Sequence, residues 1–170
     1  MSDERSESET VTDSIIRHEG FSSHCYLDTQ GYLSLGYGTT VGRVSPSIEA
    51  LIRKRSPNHQ LRASGVGVTK KQARGLVVDR VARLRERLAR LCDGVNSPQW
   101  WELTKYRRDV LVQMSYQLGI AGTLNFRKMW RAMSKEDWEA AADEMLDSRW
   151  AKQTAGRAEE LAGIMRRGEL

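Results

Sequence analysis

The sequence predicts an α+β fold: a small α/β lobe built on a hairpin sheet, joined by a long helix to a larger all-helical lobe. Three observations predict it. Between Cys25 and Tyr37 the chain reads as two short strands, and Asp28-Thr29-Gln30-Gly31 between them has the Asp-first, Gly-fourth signature of a type I turn. At Thr69-Lys70-Lys71-Gln72 a capping box opens an apolar series at helical spacing: Ala73, Leu76, Val77, Val81, Leu84, Leu88 and Leu91. Beyond it the apolar stripes keep helical spacing and are separated by breaks bearing Gly, Asn, Ser and Pro.

Taken in order, residues 1–11 read as a flexible tail. Thr12-Asp13-Ser14 offers N-caps for a short helix with Ile15 and Ile16 turned inward. Gly20 stops that helix and leaves Glu19 in its last turn. The negative end of the helix dipole lies there and favours the protonated form of a carboxyl, which suits a proton donor. On the returning strand, Leu33, Leu35 and Tyr37 share one face, while Tyr32, Ser34 and Gly36 share the other. Taking the leucine face as core points Ser34 toward a cleft. A small helix is predicted near Ser47 to Arg55, entered through Ser45-Pro46-Ser47, with a connector containing Gly65-Val66-Gly67 after it. These segments assign 12–68 to the small lobe.

The second lobe is assigned to 69–170. Its long helix runs some 20 residues, or about 30 Å, enough to join two lobes; the N-terminal helix is also able to pack here. Asp93 to Pro98 reads as a loop. Trp101, Leu103, Tyr106, Val110, Leu111, Met114 and Leu118 form an apolar stripe over 99–118, which Gly119 and Gly122 interrupt. A shorter helix from Leu124 to Met133 follows. The next, capped by Ser134-Lys135-Glu136-Asp137, includes Trp138, Ala141, Ala142, Met145 and Leu146. A last helix covers Arg157 to Met165.

Composition narrows the classes of function. At 39% hydrophobic and 29% charged, the chain suits a soluble globular protein rather than a disordered one. A net charge of +5 favours polyanionic surroundings. The cations concentrate on the long helix, as Lys70, Lys71, Arg74, Arg80, Arg83, Arg85, Arg87 and Arg90 against Asp79 and Glu86. A solvated face is the ordinary explanation, and no recognition motif accompanies the charge, so nucleic acid is not an expected partner. Cys25 and Cys92 form no CxxC pair, and His18, His24 and His59 lack ligand spacing, so neither a metal nor a cofactor is expected. No apolar run reaches the length of a membrane span. The polar, acidic start of the chain lacks the features of a secretory signal. The expectation is a monomer without stable membrane insertion, made in the cytoplasm of a host and acting elsewhere only after release.

The chemistry concentrates between Arg17 and Thr39. Glu19 at a helix end, Asp28 at the mouth of a turn and the Ser34 hydroxyl on a strand make a layout for acid/base hydrolysis. Fully extended, nine residues could separate Glu19 from Asp28 by about 30 Å, but the helix stop and the hairpin fold the chain back.

Further motifs sharpen this. Glu19-Gly20, Tyr26, Asp28-Thr29, Gly31-Tyr32 and Gly36-Tyr37-Gly38 resemble the catalytic segment of phage lysozymes of the T-even coliphage type, also called endolysins or muramidases. Arg107-Arg108, Gln117-Leu118-Gly119, Trp138-Glu139-Ala140-Ala141 and Ser148 to Thr154 followed by Arg157 agree in order and spacing. The resemblance covers nearly all the chain beyond the tail and implies a lysozyme-like fold with two lobes around a cleft. It implies hydrolysis of the β-1,4 bond between N-acetylmuramic acid and N-acetylglucosamine in peptidoglycan, with inversion, in phage-mediated lysis of bacterial cells. Glu19 would protonate the glycosidic oxygen, Asp28 would assist water or stabilise positive charge, and Ser34 would help place the water. Tyr116 and Gln117 would line the glycan site, and Arg157 would pair with Glu19. Thr40, Met129 and Glu144 fall at sugar-contact positions by spacing, though not by identity. Two departures stand out: Ser34 where the family commonly has threonine, and Thr39 where it has histidine. The competing expectation is a non-enzymatic cationic protein that disrupts envelopes through its basic helices.

Overall fold

The computed structural model describes residues 10–28, 31–55, 67–92 and 97–170. Among these the chain forms eight helices and three strands, an α+β arrangement of the lysozyme-like kind. It divides into two units: Thr12–Asp79, and Arg80–Leu170 together with Val11. Of the predicted tail 1–11, residues 1–9 lie outside the described residues, while Val11 is buried and begins the first helix. Thr29-Gln30 of the predicted type I turn, Gly65-Val66, Asp93 to Asn96 and His59 also lie outside the described residues.

The first unit begins with α1 (Val11–His18). The Glu19 N–H donates to the Ile15 carbonyl at 2.9 Å, completing its last turn as Gly20 predicts. Strands β1 (Ser22–Leu27), β2 (Tyr32–Gly36) and β3 (Thr39–Arg43) make an antiparallel sheet in that order. The hairpin expectation thus gains a third strand. β3 is an edge strand whose residues are mostly exposed, so it carries no apolar alternation to read. Its register with β2 passes from Leu33↔Gly42 to Ser34↔Thr40, leaving Val41 as a bulged residue, 54% exposed. The simple two-faced reading of β2 fails as well. Leu33 is half-buried, while Ser34, Leu35, Gly36 and Tyr37 are all buried.

Helix α2 (Pro46–Arg55) follows, then α3 (Lys70–Leu91), which starts in this unit and ends in the other. The capping box forms as predicted: Gln72 N–H donates to Thr69 Oγ1 at 3.2 Å and Thr69 N–H to Gln72 Oε1 at 2.8 Å. Ile15, Cys25, Leu27, Leu35, Tyr37, Ala73 and Val77 make the unit's small core. The Arg74 guanidinium bonds Asp13 of α1 at 2.5 Å, which raises its proton affinity further.

The second unit takes its first core positions, Val81, Leu84 and Leu88, from α3. Leu91, expected in the same stripe, is 43% exposed because the helix ends there. The predicted basic face is only partly solvated: Arg85 bonds the buried Asp109 at 2.5 Å, joined by Lys105 at 3.1 Å, and Arg80 reaches the Tyr116 carbonyl at 2.7 Å. Helix α4 (Lys105–Leu124) starts at Thr104, whose hydroxyl accepts from Arg107 N–H. Trp101 precedes that cap in a turn and is 67% exposed, so it does not belong to the core stripe. Gly119 takes non-helical angles (φ 73°, ψ 164°) and breaks α4, whereas Gly122 and Leu124 stay helical. A buried chain of hydrogen bonds ties the break together: Ser115 Oγ to Thr123 Oγ1, Thr123 Oγ1 to the Gly119 carbonyl, and Trp130 Nε1 to the Thr123 carbonyl, each about 3 Å.

Helices α5 (Arg127–Met133), α6 (Trp138–Leu146), α7 (Arg149–Gln153) and α8 (Ala155–Arg167) complete the unit. The cap expected at Ser134 is at Asp137, whose carboxylate accepts from Ala140 N–H at 3.0 Å. Residues 134–136 are still winding out of α5, and the chain reverses at Glu136 (φ 57°), so only Asp137 is extended enough to cap α6. Arg107 closes the far end: its guanidinium donates to the Met165 and Arg166 carbonyls and lies 3.7 Å over the Trp138 ring. Burial there pushes its pKa below the usual arginine value. Among the described residues no helix is long and apolar enough to cross a membrane, and no group of three or more His, Cys, Asp and Glu could hold a metal ion.

Candidate active site

The three residues that the sequence marks for acid/base work lie on β2 or against the turns at its two ends. At its first residue, Tyr32 N–H donates to Asp28 Oδ1 and Asp28 N–H donates to the Tyr32 carbonyl, both at 2.9 Å. The turn after β1 therefore fixes Asp28 through its backbone and through one carboxylate oxygen. In the middle of β2, Ser34 pairs with Tyr26 of β1 and Thr40 of β3 and is 3% exposed. Beyond the end of β2, at the turn of Tyr37 and Gly38, lies Glu19. A Cβ built on Gly38 would stand 3.1 Å from Glu19 Oε2, so the acid rests against glycine backbone. Gly38 has φ +69°, which a side chain resists, and its lack of one leaves room for the carboxyl. The spacing Gly36-Tyr37-Gly38 carried that signal without naming the partner.

Glu19 and Asp28 are both half-buried. Phe21, two residues after Glu19, packs against Tyr37 with ring centroids 5.3 Å apart, and Lys70 stands 5.9 Å from the Phe21 ring. Arg43 of β3 lies 5.4 Å over the Tyr32 ring at the Asp28 end. Thr39 begins β3 directly after Gly38, and its hydroxyl is buried with no hydrogen-bond partner among the described residues.

The other three candidates belong to the helical unit. Tyr116 is 3% exposed, with the Arg80 guanidinium 4.1 Å over its ring. Its ring is thus covered by protein, whereas the neighbouring Gln117 is exposed. Gln117 Oε1 accepts from Trp150 Nε1 at 2.7 Å, which orients the amide so that its NH₂ is the group left to donate. Arg157 is buried in the first turn of α8. Met129 is wholly buried and serves the core.

This unit also holds a cavity of about 450 Å³, and two of its lining residues, Met129 and Glu144, are ones that the sequence placed at sugar-contact positions by spacing. Phe126, Trp150 and Met129 line it with Arg127, Lys128 and Glu144. Lys128 and Glu144 form an ion pair at 3.6 Å. The wall comes from three separate helices and the turns between them, so no local motif marks it.

Comparison with known proteins gives these features a context. A model of the phage lysozyme family matches residues 16–169, a span that includes all six candidate site residues. The chain is 28% identical over 164 residues to the pre-baseplate central spike protein of Enterobacteria phage T4, covering 95% of this chain. It spans only 28% of the length of that relative. It is 21% identical over 165 residues to a probable T4-type lysozyme of Dictyostelium discoideum, covering 95% of this chain and 96% of that protein.

Proposed function

The chain belongs to the phage lysozyme family, a family of lysozyme-type glycoside hydrolases, and from that premise we propose that it hydrolyses the glycan strands of peptidoglycan. The bond is the β-1,4 link from N-acetylmuramic acid to N-acetylglucosamine, and the setting is phage-mediated lysis of the bacterial cell wall. Glu19 gives its proton to the glycosidic oxygen as the bond to the anomeric carbon breaks. Asp28 takes a proton from the attacking water, or balances positive charge on the sugar, and Ser34 holds that water. A water attacking from the opposite face inverts the anomeric carbon, which requires carboxyls roughly 6.5–9.5 Å apart. In the helical unit, Tyr116 and Gln117 are the proposed glycan-binding residues, Gln117 through its amide NH₂, and Arg157 is a proposed supporting residue.

One observation supports this reading: both carboxylates and the hydroxyl lie on one five-residue strand or against the turns at its ends. Asp28 is bonded at Tyr32, Ser34 sits mid-strand, and Glu19 rests against Gly38 just past its end. Mass analysis of digested peptidoglycan tests it. The products should carry hydrolysed muramic reducing ends, and Glu19→Gln should produce almost none while keeping its fold. Anhydro ends or cut peptides would point to another reaction. Killing by the Glu19→Gln variant or by heat-unfolded protein, with no reducing ends released, would favour the cationic envelope-disrupting alternative.

A further inference from the structure

The turn that carries Asp28 has another carboxylate lying on it. Gly31 closes that turn with φ +81°, is buried, and donates its N–H to the Asp28 carbonyl at 3.3 Å. The atoms nearest to where a side chain at position 31 would begin are Glu49 Oε2, Cδ and Oε1, at 2.5, 3.1 and 3.4 Å. Glu49 stands in the first turn of α2, and its own N–H donates to the Ser45 carbonyl at 2.9 Å. Its backbone is therefore fixed by the start of a helix, and its side chain reaches back onto the glycine. A negative group in a helix's first turn is also favourably placed in the helix dipole.

The result is a turn held from two sides. β2 holds it through the paired bonds between Asp28 and Tyr32, and α2 holds it through the face of the Glu49 carboxylate. The second hold requires that position 31 have no Cβ, which is why Gly31 does more than supply a positive φ. The helical pattern of Pro46 to Arg55 gives no hint of this contact, because it joins residues 18 positions apart.

We propose that Glu49 is a positioning residue for Asp28, a wedge that keeps the turn closed while Asp28 directs water. The inference rests on the muramidase reading above. Without the wedge the turn loosens and Asp28 leaves its place, which slows the bond-breaking step. Contacts that bind the rest of the glycan are untouched, so kcat falls while KM does not.

The test uses the full chain and a soluble peptidoglycan glycan oligomer, with kcat and KM measured separately. Glu49→Ala should lower kcat about tenfold with KM within about twofold, and Glu49→Gln, which keeps the shape of the wedge, should stay within about twofold of the starting kcat. Gly31→Ala should lose activity as well, and should lose less when placed in the Glu49→Ala background, because the added methyl then meets no carboxylate. A Glu49→Ala variant with unchanged kcat overturns the proposal. So do equal losses in Glu49→Ala and Glu49→Gln, or a Gly31→Ala loss that is the same in both backgrounds. If Glu49→Ala fails to fold, the Glu49→Gln kcat decides: retention supports the wedge and loss refutes it. Two controls keep the readings apart. If the unaltered chain releases no reducing ends, the muramidase reading itself is wrong. If it is active, Asp28→Asn is inactive and Glu49→Ala is unaffected, only the role of Glu49 is wrong.

Discussion

The unit Thr12–Asp79 holds its candidate acid/base residues on or beside the five-residue strand β2 and its glycine turns, whereas Arg80–Leu170 buries five methionines and three leucines at zero exposure. In the first, polar side chains are fixed by contacts to backbone: Asp28 to Tyr32, Glu19 against Gly38, Glu49 against Gly31. In the second, the core is made of side chains packed on side chains, and buried polar groups such as Ser115 and Thr123 are bonded to each other and to nearby carbonyls inside it. Geometry is therefore at risk in one unit and volume in the other. Substitutions in the small unit should alter rate more than stability, and those in the helical core should do the reverse.

The largest effect should come from Glu19→Gln. Removing a general acid costs about 10²–10⁴-fold in rate, and a half-buried side chain at a helix end contributes little to folding. Reducing-end release should collapse while the thermal midpoint hardly moves. A variant that lost stability in proportion to activity would break the contrast between the units.

Met133→Ala should show the mirror image. Met133 is wholly buried on α5 beside the core of the helical unit. Truncating such a side chain leaves a cavity and costs about 2–5 kcal/mol. Denaturant unfolding should report that loss, and the activity of the fraction that remains folded should be near that of the parent. Loss of activity without loss of stability would show that the helical core tunes the chemistry directly.

The same contrast explains what was legible in the sequence. The longer helices announced themselves: the Thr69–Gln72 box opens α3 in the small unit, and the α3 series and the helix carrying Met145 appear where spacing put them. The errors were at helix ends. Ser134 looked like a cap, but the chain had yet to turn at Glu136, and Trp101 looked like core, but it lies before the Thr104 cap. Helix α7 (Arg149–Gln153) is too short to show a period and is defined by its Ser148 cap. In the small unit the turn at Asp28 and the stop at Gly20 were readable, because turn chemistry is local. β3 was not, because an exposed edge strand has no buried face to impose a pattern. The contacts of Glu19 with Gly38 and of Glu49 with Gly31 join residues far apart in the chain, and a glycine leaves no trace of what fills the space beside it.

Gly38→Ala should fall between the two extremes. The residue has φ +69°, so an alanine there costs about 1 kcal/mol or more of backbone strain. Its methyl would also stand 3.1 Å from Glu19 Oε2, tighter than most contacts, so the acid must shift by a few tenths of an ångström. A displaced acid is costly, and a drop in kcat of about tenfold is expected together with the modest loss of stability. A variant that loses stability alone would mean that the carboxyl tolerates the shift.

The smallest effect should be at Thr39, and its sign is the informative part. The hydroxyl is buried at the start of β3 without a partner among the described residues, next to the glycine that supports Glu19. An unmade hydrogen bond in such a place costs about 1–3 kcal/mol, whereas replacing the group by an apolar one of the same shape is nearly neutral or stabilising. Valine has that shape and suits a strand. Thr39→Val should leave the unfolding free energy unchanged or raise it by up to about 1 kcal/mol, with reducing-end release unaltered. A clear loss of stability would mean that the hydroxyl is bonded through water, and a loss of activity at constant stability would make Thr39 part of the site that holds Glu19.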